Sequence, residues 1–192
     1  EYSMSFDGVD DFSESSTIDL TGIEFTIETW YKAPQVNFTD QVNIIDNYGS
    51  ANTSNRWGIY IGGLNQSYTG KIWLYLGDNL QLTSNINIDD EIWHHIALVR
   101  SLNGQVELYI DGVLDVSGVM NINDDLNPGY SIKIGSGHSG IFPPRFAPCI
   151  IDDLHISNYA KYTSNFNTEC ITVDISNTIL SYNYEEGAGT TA

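Results

Sequence analysis

A chain of 192 residues, 41% of them hydrophobic, fits one large domain with a proper core, since chains of this size bury about 70% of their unfolded surface. Seven basic residues against 25 acidic ones give a formal net charge of −18, which disfavours nucleic acid and anionic membranes as partners. No stretch approaches the ~20 apolar residues of a membrane span, and no secretory leader opens the sequence, so the chain reads as mature or as excised from something longer.

Strand-like segments with turn chemistry between them recur along the chain, and helical periodicity is nearly absent. Tyr2 to Phe6 alternates in polarity and ends at Asp7-Gly8. Phe25 to Tyr31 is a strand rich in β-branched and aromatic residues, with Trp30 expected in the core. Val42 to Asp46 is a short strand, and Trp57 to Ile61 leads into Gly62-Gly63. Lys71 to Gly77 is a near-continuous apolar run whose Trp73 is also expected in the core. The clearest signal is a hairpin. In Trp93 to Arg100, His95, Ala97 and Val99 face one way, and His94, Ile96, Leu98 and Arg100 the other. Ser101-Leu102-Asn103-Gly104 makes the turn, and Val106, Leu108 and Ile110 then alternate with Glu107, Tyr109 and Asp111. His94 and His95 thus point apart, one packed and one exposed, and cannot share a metal. Ser131 to Gly135 and Ile150 to Ile156 are further strands. Between them Gly137 to Pro148 holds three of the five prolines and must be a loop. The only helical turn expected lies near Tyr159 to Thr163. The pattern predicts an all-β fold, two packed antiparallel sheets.

Cys149 and Cys170 are either joined in a disulfide, as suits a secreted protein, or a pair of buried thiols. Asn37, Asn52 and Asn65 begin Asn-x-Ser/Thr sequons in turn-rich segments and are candidate N-glycosylation sites. Aromatic platforms with polar neighbours suit carbohydrate. Trp57 beside Arg56 is the best exposed candidate, with Tyr109 as a further ligand-binding candidate.

Several motifs extend the reading. Phe6-Asp7-Gly8-Val9-Asp10-Asp11-Phe12, the strand FTIETW, the hairpin WHHIALVR followed by VELYIDG, and the closing strand IDDLHIS with Tyr159 to Phe166 occur in that order. They resemble laminin G-like jelly-roll modules of the concanavalin A-like lectin and glucanase superfamily. The resemblance implies an antiparallel jelly-roll sandwich over residues 1–175. It implies a non-catalytic recognition or adhesion module, extracellular or surface-exposed, that binds glycan or a surface protein. It also implies structural calcium. In the alternation of IDDLHIS, Asp152 shares the apolar face with Ile150, Leu154 and Ile156, where an ionised carboxylate needs a partner or a cation. Asp152 and Asp7 are the expected ligands, with Asp10 and Asp11 as lesser candidates. The glucanases' paired catalytic carboxylates are not matched, because Glu28 stands alone on its strand, so an enzyme is not expected. Residues 176–192 resemble the strand that normally opens these modules. That C-terminal strand completes its own sandwich, begins a second module, or pairs with a neighbouring copy. The last case would make the chain a structural subunit of a surface filament or virion appendage, assembling head to tail.

Overall fold

A computed structural model describes residues 2–48, 54–137, 145–172 and 174–184, the side chain of Cys170 excepted. Among these residues thirteen strands follow in chain order: β1 (Met4–Asp7), β2 (Ser13–Thr17), β3 (Phe25–Lys32), β4 (Val42–Asp46), β5 (Trp57–Ile61), β6 (Lys71–Leu76), β7 (Leu80–Asn87), β8 (His94–Arg100), β9 (Gln105–Ile110), β10 (Val113–Val119), β11 (Ser131–Ile134), β12 (Pro148–Ser157) and β13 (Thr178–Tyr182). The first sheet runs β1-β12-β3-β8-β9-β10, with β13 also on β12, and the second runs β2-β11-β4-β5-β6-β7. Each strand pairing is antiparallel. The result is the expected two-sheet sandwich.

Alternation explains what lies between the sheets. Phe25, Ile27 and Tyr31 of β3, Ile96 and Leu98 of β8, and Val106, Leu108 and Ile110 of β9 meet Trp57, Ile59 and Ile61 of β5 and Ile72, Leu74 and Leu76 of β6. Arg100 shares that inward parity and is fully buried. Its guanidinium donates to the carbonyls of Leu20 and Ile23 and lies 4.8 Å from the centre of the Phe25 ring. It thereby ties the β2–β3 connection to the sheet.

The first sheet is covered on its outer face as well. The chain from Asn158 to Ile171 crosses it as a strap, and Tyr162 joins Ala97, Val99 and Tyr109 in a second small core, with Ala160 and Phe166 packed against it. The Tyr162 and Phe166 rings stack with centroids 3.5 Å apart. The strap is irregular rather than helical at Tyr159 to Thr163, and it lays both rings on the sheet. The Thr26 hydroxyl holds it there, donating to the Tyr159 carbonyl at 2.8 Å and accepting from the Lys161 amide at 2.9 Å. Helical geometry among the described residues is confined to two short 3-10 turns, Thr168–Cys170 and Ile175–Asn177. No helix among them is long and apolar enough to cross a membrane.

β13 pairs with β12 of its own chain, Tyr182 opposite Leu154 and Leu180 opposite Ile156. Cys149 is a free thiol facing the inter-sheet core. Thr168, Glu169 and Ile171 instead border the outer face of that sheet. The structure therefore lacks the disulfide expected with Cys170, whose side chain lies outside the described residues.

Candidate functional site

β12 carries one residue more than its neighbour can match. Asp152 pairs with Trp30 and His155 with Glu28, so Asp153 and Leu154 together oppose Thr29. Asp153, the first of the two, takes the left-handed conformation, φ +47°, as in bulges of the G1 type. The Thr29 hydroxyl donates to the Asp152 carbonyl at 2.8 Å, and the Asp153 amide donates to the Asp152 carboxylate at 2.9 Å. The bulge shifts the facing of the strand. Cys149 and Ile151 before it, and Leu154 and Ile156 after it, all reach the core. Asp152 turns outward instead. The expectation that it shares the apolar face with Leu154 and Ile156 is overturned, because uninterrupted alternation does not survive a bulge.

The two re-aimed aspartates open into a groove on the outer side of the sheet. Its volume is about 510 Å³, and Tyr2, Ser3, Trp30 and Trp93 line it with them. Trp93 is 39% and Tyr2 55% exposed, so two of the three aromatic rings present open faces. Trp30 is half-buried rather than core, because it shares its facing with Thr26 and Glu28. An inner chamber of about 210 Å³ shares Trp30 and Asp153 with the groove and runs back to Glu28, His95, His155 and Glu169.

Glu28 anchors the chamber floor. It is 2% exposed, accepting from Lys161 Nζ at 2.5 Å and from the Tyr162 hydroxyl at 2.6 Å, with His95 Nε2 at 3.5 Å. Burial alone would raise its pKa, but the His95, Lys161 and Tyr162 hydrogen bonds and the Lys161 charge outweigh it and hold Glu28 at about 2. Such a carboxylate stays ionised at neutral pH and has no proton to give. His155 is 4% exposed, and burial lowers its pKa. The Nδ1 atoms of His95 and His155 are buried without a hydrogen-bond partner.

The other sequence candidates are dispersed. Trp57 is wholly buried between the sheets, following the inward parity of Ile59 and Ile61, and cannot be a platform. Tyr109 is equally buried, beneath the strap, its hydroxyl donating to Glu107 at 2.9 Å. Arg56 lies between the Tyr48 and Tyr75 rings, 4.3 Å from each centroid, on the other sheet. Trp73 is half-buried, on the outer side of that sheet against Tyr60, Tyr68 and Tyr75. His94 is buried as well as His95, because Asp111 at 2.8 Å and Asp90 at 3.1 Å enclose it. Asn37 and Asn65 are exposed in adjacent loops, where the Asn65 amide donates to the Thr39 carbonyl at 2.8 Å. Asn52 lies outside the described residues.

Asp7 and Asp152 do not form one calcium site. Asp7 pairs with Pro148, four positions from Asp152 along β12, or about 13 Å at ~3.3 Å per residue. Asp7 is grouped instead with Asp10 and Asp11, whose exposed carboxylates lie within 4.8 Å of one another. Tyr2, Trp93 and Asp153 in the groove, and His95, His155 and Glu169 in the chamber, are site residues that sequence reasoning missed. A usable signal existed for Trp30, whose place on FTIETW puts it on the same face as Glu28.

The chain matches the laminin G profile described as the concanavalin A-like lectin/glucanases superfamily over residues 7–164. A search of curated proteins finds no match. Among solved structures it is similar to a protein from Bacteroides ovatus described as carbohydrate-binding, with TM-score 0.70 and 15% identity, covering 94% of this chain and 52% of that one. It is similar to domains LG4-5 of the mouse laminin α1 chain, with TM-score 0.58 and 14% identity, covering 85% and 44%. It is also similar to a Trypanosoma rangeli sialidase, with TM-score 0.62 and 11% identity, covering 85% and 26%. At these identities the likeness is one of fold. The chain spans about half the length of the first of these structures and less of the other two.

Proposed function

The chain belongs to the concanavalin A-like lectin/glucanases superfamily, and on that premise we propose that it is a non-catalytic recognition module that binds glycan in an extracellular or surface-exposed setting. The observation that carries this reading is the groove beside the β12 bulge. Three aromatic side chains there adjoin two carboxylates re-aimed by a strained backbone. Sugars bind by stacking apolar ring faces on aromatics while polar groups fix their hydroxyls, and this groove supplies both. Strained backbone of this kind concentrates at functional sites. The carbohydrate-binding description of the Bacteroides ovatus structure agrees with it. Against catalysis stands the state of Glu28, ionised and held by three donors. Calcium belongs to the proposal at Asp7, Asp10 and Asp11, whose oxygens suit a hard cation, and not at Asp152.

A glycan array followed by titration calorimetry of the best binder tests the reading. Trp93→Ala should weaken binding at least tenfold with no change in Tm, since Trp93 is partly exposed. The same titration after chelation reads the contribution of calcium. Capture of a protein ligand, with no glycan bound, would reject the glycan reading.

A further inference from the structure

We infer that the groove and its inner chamber select sugars that carry no acidic group, one ring entering the chamber to donate hydroxyl or ammonium hydrogens to His95 and His155. The inference rests on the glycan reading and narrows it to a class of sugar.

The charges point this way. Asp152 and Asp153 line the groove, and Asp153, Glu169 and Glu28 line the chamber. Neither lining includes a lysine or arginine among the described residues. Lys161, which reaches Glu28 at the chamber floor, is bound to it at 2.5 Å, which engages its charge. A carboxylate or sulfate on an entering sugar would meet the carboxylates of Asp153 and Glu169 and, among the described residues, no cationic fork to receive it.

The two histidines supply what an uncharged ring needs. His95 Nε2 faces the Glu28 carboxylate at 3.5 Å, and in a neutral ring with its proton on that nitrogen Nδ1 is an acceptor. His155 Nδ1 is also buried without a partner. Buried polar atoms in folded proteins are nearly always paired, so two unpaired ones on residues that line one chamber mark a place that a ligand completes. The chamber, about 210 Å³, equals some seven water volumes at ~30 Å³ each, a space on the scale of one sugar ring. Trp30 borders both spaces.

The test is titration of the full chain at pH 7.5 with lactose, N-acetylglucosamine and glucosamine, and separately with sialyllactose and galactose 6-sulfate. Affinity for the best non-acidic probe should exceed that for either acidic probe at least tenfold. The double variant Asp153→Asn, Glu169→Gln should cut that preference below threefold. Asn is chosen because it tolerates the left-handed conformation at position 153. His155→Leu, checked for an unchanged Tm, should weaken the non-acidic probe at least tenfold. Tighter binding of sialyllactose or the sulfated sugar would overturn the inference while leaving a glycan-binding module in place, as would undiminished binding by His155→Leu. Failure of all five probes, with a glycan array equally blank, would remove the glycan reading itself.

Discussion

Glu28 shows how one buried carboxylate couples the sheet, the strap and the pH response. Its pKa of about 2, against an ordinary 4.5, contributes about 3 kcal/mol at neutral pH, taking ~1.4 kcal/mol per unit. A lowered carboxylate stabilises the fold above its unfolded pKa, so this contribution is full above pH 4.5 and is lost as pH falls towards 2. Glu28→Gln leaves Lys161 without its counter-charge, and a loss of roughly 3 kcal/mol is expected in urea unfolding at pH 7. The gap between variant and wild type should close on titration from pH 4.5 to 2. Asp46 works in the opposite sense. Burial raises it to about 7 despite hydrogen bonds from the Tyr48 amide and Asn43 and the nearby Arg56 charge. Its stabilising protonated state is lost as pH rises through 7. Asp46→Asn should therefore match wild type near pH 4 and exceed it in stability at pH 8. His155, lowered by burial, opposes Asp46 as pH falls below its ordinary 6.5, so the variant comparison reads Asp46 more cleanly than the wild-type profile does.

At the level of the element, the bulge in β12 decides what faces the groove. Asp153→Val places a β-branched residue at φ +47° and should cost about 1–2 kcal/mol, whereas Asp153→Asn should be nearly neutral. Thermal unfolding of the two variants separates backbone strain from lost charge. Much of the architecture was legible beforehand for a plain reason. β3, β8 and β9 lie inside one sheet, and their inward faces carry apolar residues at every second position: Phe25 and Ile27, Ile96 and Leu98, and Val106, Leu108 and Ile110. Edge and half-exposed strands lacked that signal: β2 reads Ser-Glu-Ser-Ser-Thr, with no apolar residue to set a period. The site was less legible than the fold. IDDLHIS alternates evenly on paper, and only its pairing with β3 reveals the extra residue that turns Asp152 outward. Trp57 misled because an arginine neighbour suggested exposure, while its parity with Ile59 and Ile61 placed it in the core. Tyr109 misled for another reason: its outward parity was right, but a strap about fifty residues later in the sequence covers it.

Across the whole molecule, the groove lies where two short strands share one edge. β1 pairs with Pro148 to Ile151 of β12 and β13 with Leu154 to Ser157, so the bulged Asp152 and Asp153 occupy the gap between them. β13 is thus an edge strand that pairs with β12 directly after the bulge. Leu180, Tyr182 and Tyr184 pack from it and its extension against the main core. Deleting residues 176–192 removes that packing and bares the hydrogen-bonding edge of β12 from Leu154 to Ser157. A loss of roughly 3 kcal/mol is expected, or about 6–12 °C in Tm for a chain of this size. An open edge also recruits other edges, so the truncated chain should associate as its concentration rises. Light scattering on both forms makes the comparison, with the full chain expected to be monomeric because β13 already satisfies its own sheet. A full chain that polymerises and becomes monomeric on truncation would mean that β13 prefers a neighbour's β12. In a head-to-tail polymer of that kind the strand paired with Leu154 to Ser157 would come from the next subunit.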